Sequence, residues 1–303
     1  MSRVRVSVWS LVAAAACWGT ATAISKRAVE EIAPLTLLPI ELSVSVAVLL
    51  AASALSGDRS LPSTHRRQLG WLGVLNPGVA YALSLAGLSR ITASSSALLW
   101  ATEPVLILLL AWVLLCQRPT KAVVACAGCA LAGVVLVVAR PDVRVSTTGI
   151  LLTLAGVAAC AVYTVVSSRY LADQSTLGVV LVQQASALVF AVLLLAVAIS
   201  LGYGAALRDV SAAGWSSALG AGALYYGVAF WFYLRGLRTC SPSVAGLFIN
   251  LVPVFGVGSA ALLLGERLAP RQWVGVAVTL AAVTALGWTQ TRHRRGRSAD
   301  QAL

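Results

Sequence analysis

The sequence predicts an all-α integral membrane protein of ten transmembrane helices, arranged as two inverted five-helix repeats. Three observations predict it. The 303 residues are 59% hydrophobic and 11% charged, with a mean hydropathy of +0.89, too apolar for a water-soluble domain of this size. Ten apolar segments can be marked along the chain, at 6–25, 33–56, 69–88, 93–115, 122–139, 148–168, 176–202, 211–234, 242–264 and 272–289. Residues 81–134 also lie over 230–283 at a constant shift of 149, without a gap.

The charges agree with that span map. Of 22 basic and 10 acidic residues, only Glu41 and Glu103 fall inside the segments. The duplication divides the chain into a first repeat at 6–140, a second at 148–290 and a basic tail at 291–303. Connections are too short to fold alone, so function has to be built from helices. With five spans in each copy, an odd number, the second copy enters the membrane in the opposite sense.

The first span follows Arg3 and Arg5 and runs into Ala21-Thr22-Ala23, which resembles a secretory cleavage site. Its length, and Trp18-Gly19 at its middle, favour a retained helix that keeps the five-plus-five count. Span two carries Glu41 two residues after Pro39, nearer the outer third, where water makes a charge cheaper. Span three brings Tyr81. In span four, Thr92, Ser96, Trp100 and Glu103 share a helical face at spacings of 4, 4 and 3, a polar stripe that predicts a cavity. A charge at a helix centre costs about 2.5–3.5 kcal/mol on insertion scales, so Glu103 is the leading candidate for binding substrate or a proton. The bland alternative is a neutral Glu103 bonded to a neighbouring helix. Pro104 lacks an N–H and frees the carbonyl of Trp100, one turn from the carboxylate.

Span five contains Cys126 and Cys129, a CxxC without histidine or acidic partners, and packing is the expectation for all six cysteines. Span six offers Tyr163. In span seven a shift of 143 sets Gln184 against Glu41 and Ser186 against Ser43. Span eight offers Tyr226 and Tyr233. Span nine presents Ser243, Gly246, Asn250 and Pro253 on one face, and Pro253 frees the carbonyl of Ile249. Asn250 is therefore a further binding candidate. Trp18, Tyr81, Tyr163, Tyr226 and Tyr233 can stack on a small organic ligand, although interfacial anchoring explains many membrane aromatics.

Several function classes are disfavoured. His65 and His293 lie outside the spans, and neither GxSxG nor HExxH occurs, which argues against an intramembrane hydrolase. No Walker loop is present, so no ATP-driven step is expected of this chain. Neither a metal nor another cofactor is implied. The net charge of +12 is scattered over short loops and termini, which speaks for orientation at a lipid surface rather than for nucleic acid. With the N-terminus cytoplasmic, inside segments hold 14 of the 22 basic residues, so both ends are expected in the cytoplasm. The tail at Arg292–Arg297 suits anionic headgroups. The Ala-, Val- and Arg-rich composition suggests a bacterial plasma membrane.

The duplicated segment carries a family resemblance. Its earlier copy reads PVLILLLAWVLLCQR from Pro104 to Arg118, and its later copy PVFGVGSAALLLGER from Pro253 to Arg267. Gly78, Gly87, Leu88 and Ser94 match Gly227, Gly236, Leu237 and Ser243, and Leu131, Ala132 and Val134 match Leu280, Ala281 and Val283. With Trp18-Gly19, these residues resemble the EamA family of the drug/metabolite transporter superfamily. The resemblance implies two inverted repeats with cytoplasmic termini, exporting or exchanging small metabolites such as amino acids by alternating access through a central cavity. The first copy has Cys116-Gln117 where the pattern prefers Gly-Glu, and Glu41 stands where many members carry Arg. Glu266, the acid that fits the pattern, is expected to form an ion pair in a loop. The expected function is thus a secondary carrier, an exporter, with proton coupling through Glu103. The alternatives are an exporter of lipophilic cations and a membrane scaffold that transports nothing; oligomeric state is left open.

Overall fold

In a computed structural model the chain is all helix over the residues described, which are 2–57, 61–62, 64–103, 105–107, 110, 121–138, 146–167, 170, 175–202, 207, 209–237, 248, 251–271, 273–278, 280–282 and 284–285. The helices are α1 (Ser2–Glu31), α2 (Pro34–Ser56), α3 (Arg66–Leu88), α4 (Ala93–Trp100), α5 (Lys121–Val138), α6 (Thr147–Ser167), α7 (Thr176–Ser200), α8 (212–237), α9 (Val252–Leu264) and α10 (Trp273–Ala282). Among the described residues α2, α3, α6 and α7 are long and apolar enough to cross a membrane, and α9 and α10 are shorter apolar helices. Large side chains more than half exposed, such as Val189, Leu193 and Val197 on α7 and Leu262 on α9, give these helices an outward apolar face. That face suits lipid and would be unfavourable in water.

Local chemistry sets the ends. Pro34 occupies the first turn of α2, where its missing N–H costs nothing, and Gly57 closes that helix in the left-handed region at φ 69°. Hydroxyls start four helices: Thr92 accepts from the Ser95 N–H at 3.2 Å, Ser146 from Gly149 at 3.1 Å, Ser175 from Gly178 at 3.3 Å and Ser211 from Gly214 at 3.0 Å. Glu31 adds to the last of these, accepting from the Ser211 N–H at 2.7 Å and its hydroxyl at 2.8 Å. The end of α1 thereby caps α8.

Two spans expected to be continuous are interrupted by a wider, π-helical turn. In α3 the turn covers Val74–Val79 and contains Pro77, which has no N–H to give, and the extended Asn76 (φ −145°, ψ 115°). In α8 it covers Gly222–Val228. The two turns coincide at the repeat shift of 149, so each copy breaks its third helix at the same place.

Packing follows the duplication. Helix α1 runs antiparallel along α8, with Leu11 against Gly236, Trp18 against Phe230 and Glu31 at Ser211. In the same way α6 runs antiparallel along α3, with Gly149 and Thr153 against Gly87 and Gly156 against Ser84. Lys26 donates to the Leu88 carbonyl at 3.1 Å. The ends of α1 and α3 and the starts of α6 and α8 consequently share one end of the bundle.

The third and second helices of opposite copies touch backbone to backbone. A Cβ on Gly222 would stand 2.6 Å from the Glu41 carbonyl oxygen, and one on Gly73 would stand 2.3 Å from that of Gln183. Because 222 exceeds 73 by 149, these crossings are equivalent and set Gln183 opposite Glu41. The alignment at 143 that paired Glu41 with Gln184 is off by one residue, since side chains one position apart on a helix face different neighbours.

Gly222→Ala and Gly73→Ala are each expected to cost about 1–3 kcal/mol by overpacking. Gly128→Ala, whose Cβ would meet nothing within 4 Å, should leave stability unchanged or slightly raised. Thermal unfolding in detergent checks both. A second expectation concerns pH. The Ser211 backbone N–H and then its hydroxyl hold the Glu31 carboxyl below the usual range, against a little desolvation and with a smaller pull from Arg27. This stabilisation is present above the ordinary carboxylate range and is lost as pH falls through it towards the depressed value. Hydrogen exchange at the Ser211 amide, corrected for its intrinsic pH dependence, should accelerate over that window.

Candidate functional site

A cavity with about 680 Å³ of non-atom space, mouth included, lies where the two copies meet. Its walls are Trp18 and Thr22 of α1, Asn76 and Tyr81 of α3, Ala97, Trp100 and Ala101 at α4, then Glu103, Cys160 and Thr164 of α6, Tyr225, Phe230 and Tyr233 of α8, and Val252 and Pro253 of α9. Much of this lining is paired by the repeat. The shift of 149 relates Asn76 to Tyr225, Tyr81 to Phe230 and Glu103 to Val252, and the shift of 142 fixed by the glycine crossings relates Trp18 to Cys160 and Thr22 to Thr164. The cavity therefore straddles the pseudo-symmetry axis. Among the described residues its single carboxylate, Glu103, has an apolar valine as counterpart.

Glu103 is 6% exposed, and its Oε1 accepts from the Cys160 thiol and the Thr164 hydroxyl, both at 3.4 Å. For the hydroxyl this is a long, weak bond; for the larger sulfur it is an ordinary length, with a weak donor. Cys160 packs in the core as expected of the cysteines and, one turn from Thr164 on the α6 face that meets the carboxylate, also reaches Glu103. Aromatic rings surround the space. Tyr81 stacks on Trp100 at 5.6 Å and meets Tyr225 edge-on at 5.1 Å, and Trp18 meets Phe230 edge-on at 5.4 Å and Tyr233 at 5.1 Å. The Trp18 indole donates to the Tyr225 carbonyl at 3.1 Å. That acceptor belongs to the π turn of α8, so one copy's tryptophan satisfies the other copy's irregular backbone.

The polar stripe of span four divides. Trp100 and Glu103 face the cavity, whereas Thr92 caps its own helix by accepting from Ser95 N at 3.2 Å. Ser96 is buried away from the lining, and Ala97 and Ala101 stand there instead. Beyond Trp100 the pitch changes, since the Ala101 and Thr102 amides bond three residues back, to Leu98 and Leu99, and this turns Glu103 off the face it would have shared with Ser96. The 3.6-residue period therefore stops holding before Glu103.

The remaining candidates form separate groups. Glu41, fully buried, accepts from Ser25 Oγ at 2.5 Å, with Tyr226 close by, and its Oε2 has no hydrogen-bond partner. Gln184 donates to the Tyr226 carbonyl at 3.2 Å, satisfying a second acceptor of the π turn. Tyr163 donates to Gln183 Oε1 at 2.9 Å and packs with Leu69, Leu72 and Val179, away from the cavity. Pro253 lines the cavity; Pro104 and Asn250 lie outside the described residues. Sequence reasoning missed Asn76, Thr22, Cys160, Thr164, Tyr225 and Phe230. A polar Asn-Pro inside an apolar span was the available signal for the first.

Glu266 departs from its expected ion pair. Its carboxylate accepts the backbone N–H groups of Ala93 at 2.8 Å and Ser94 at 3.1 Å, so it caps α4 and the helix dipole favours its charge. The acid shared with the family pattern thus holds the helix that leads to Trp100 and Glu103.

A model of the EamA-like transporter family matches residues 5–139 and, a second time, 147–288. A crystal structure of a protein 19% identical in sequence shares the fold, with a TM-score of 0.69 over 96% of this chain and 98% of that one. Comparison with curated proteins finds no match.

Glu266→Ala leaves two N–H groups at the start of α4 without partners and is expected to cost about 0.5–2 kcal/mol. Glu266→Gln should recover part of this, since its amide oxygen still accepts. Thermal unfolding of the two variants checks the order.

Proposed function

This chain belongs to the EamA-like transporter family, matched twice along its length, and from that premise we propose that it is a secondary carrier exporting small metabolites by alternating access. The proposal extends to ten spans in two inverted units, 6–140 and 148–290, with both termini and the basic tail at 291–303 in the cytoplasm of a bacterial plasma membrane. Support for inversion comes from the shared bundle end, where α1 finishes and α6 starts. Small residues at the crossings allow the halves to slide at little steric cost.

The observation that carries the reading is the cavity on the repeat axis with one carboxylate in its wall. A group placed there can be offered to either side as the two similar halves exchange conformations. The carboxylate can hold a proton or a cationic group, and competition between them at Glu103 is our mechanism for proton coupling. A proton that displaces the substrate from Glu103 on one side is itself displaced on the other.

Within small metabolites, amino acids remain the broad expectation. The exporter of lipophilic cations is a second reading, favoured by the aromatic rings and by the lack of any Lys, Arg or His in the lining among the described residues. An amine finds a counter-charge and π faces there, whereas a substrate carboxylate finds no base.

Purified protein in detergent should bind benzylamine more tightly than the zwitterion phenylalanine if the cation reading holds, and the reverse order supports amino acids. Glu103→Gln is expected to weaken amine binding about 10- to 100-fold, as a charge-assisted bond of ~1.5–3 kcal/mol implies. Trp100→Ala should weaken it by less, in keeping with about 0.5–2 kcal/mol for a cation on an aromatic face. Isothermal titration measures all of these, and undiminished binding by Glu103→Gln would remove the carboxylate from the mechanism.

A further inference from the structure

Glu41 is the second acid of the membrane interior, and it does not touch the cavity. It sits where α2 crosses α8 so closely that Gly222 has no room for a side chain. It is fully buried, bonded to Ser25 on one oxygen and unpartnered on the other. Among the described residues no Lys, Arg or His forms an ion pair with it. An ionised Glu41 here would bury a charge with no cation and one unbonded oxygen, whereas the neutral acid avoids the charge altogether.

The duplication supplies an internal control. At the equivalent crossing, Gln183 lies against Gly73 as Glu41 lies against Gly222. The serines correspond in sequence, because the shift of 142 that relates Glu41 to Gln183 also relates Ser25 to Ser167, but Ser167 donates to the Thr164 carbonyl and Gln183 takes its bond from the Tyr163 phenol instead. An amide of the same shape is therefore enough to hold such a crossing together. What the acid adds in the first copy is an exchangeable proton.

We propose that Glu41 is a second proton-carrying site, separate from the substrate cavity, loaded from one compartment and emptied into the other as α2 and α8 shift at the Gly222 crossing. On loading, a proton from water forms an O–H bond at Oε2; on emptying, that bond breaks and water on the opposite side takes the proton. The titratable groups facing Glu41 from α8 are the phenols of Tyr225 and Tyr226. Helix α1 brings the Ser25 hydroxyl and α7 the Gln184 amide, which bonds the turn of α8 that carries Tyr226. Thr22 and Tyr225, neighbours of Ser25 and Tyr226 in sequence, line the cavity. The partners of the buried acid are thus close in sequence to residues of the cavity wall.

The coupling part rests on the carrier reading above, and two protons then enter for each monocation exported. With voltage clamped, one pH unit across vesicles drives about 100-fold accumulation at two protons per cation and about 10-fold at one. Vesicles of phosphatidylethanolamine and phosphatidylglycerol holding the full chain and labelled benzylamine measure it. The expected result is about 100-fold for the wild type and about 10-fold for Glu41→Gln, and equal values for the two overturn the proposal. Infrared pH-difference spectra of the same vesicles test the site without any substrate. A titrating carboxylic-acid band should vanish in Glu41→Gln, persist in Glu103→Gln and move in Ser25→Ala. Should Glu41→Gln fail to fold, Ser25→Ala and Glu41→Asp decide, since an unmoved band in both overturns the assignment. Exchange of benzylamine with no pH gradient tests the carrier reading apart from the proton, and a wild type inert there defeats that reading while the infrared result still judges Glu41.

Discussion

Backbone that leaves the α-helix inside hydrocarbon must find its hydrogen bonds within the protein, because an unpaired peptide group there costs several kcal/mol. This constraint explains how the two halves are joined. In the π turn of α8 the carbonyls of Tyr225 and Tyr226 accept side-chain bonds, from the Trp18 indole and the Gln184 amide. Trp18 comes from the other copy, so the irregular backbone of one repeat is completed by a side chain of its partner. The same turn sets Tyr225 into the cavity wall and Tyr226 beside Glu41. Irregularity, interface and candidate site are one feature seen at three scales.

The bundle is close to symmetric in backbone and far from symmetric in charge. Both intramembrane acids lie in the first copy, and their counterparts are Val252 and Gln183. The equivalent positions of the second copy hold neutral residues, which favours the reading of the two acids proposed above. Glu266 and Glu31, by contrast, answer a structural demand. Each gives its carboxylate to the bare N–H groups that begin a helix of the opposite copy. Acids thus stand in two settings, at helix starts as caps and in the interior, where we propose that they carry a proton.

Much of the scaffold was legible because hydrophobic runs and exact repetition report on it directly. The spans at 33–56, 148–168 and 176–202 lie within two residues of α2, α6 and α7. The candidate site was legible in part. Of the polar stripe, Glu103 and Trp100 stand in the cavity and Ser96 does not; the change of pitch at Ala101–Thr102 turns Glu103 off the face it would have shared with Ser96, and periodic reasoning assumes constant pitch. Glu266 was misjudged for another reason. A helix start 173 residues away in sequence supplies its partners, and nothing local to Gly265-Glu266-Arg267 announces it.

The amino-acid sequence by itself determined that the chain belongs among lipids, that it is doubled, and that two acids are placed where they are costly, since composition, repetition and the energetics of charge in hydrocarbon are properties of residues and their spacing. Tertiary structure alone decided which acid meets the cavity and which is sealed behind Ser25 and Tyr226. It also decided that Gln183 mirrors Glu41, and that Cys160 and Thr164 reach Glu103. These are consequences of crossings such as Gly222 on Glu41, where two backbones meet because a side chain is missing. Such a meeting depends on both partners at once, and neither stretch of sequence carries it alone.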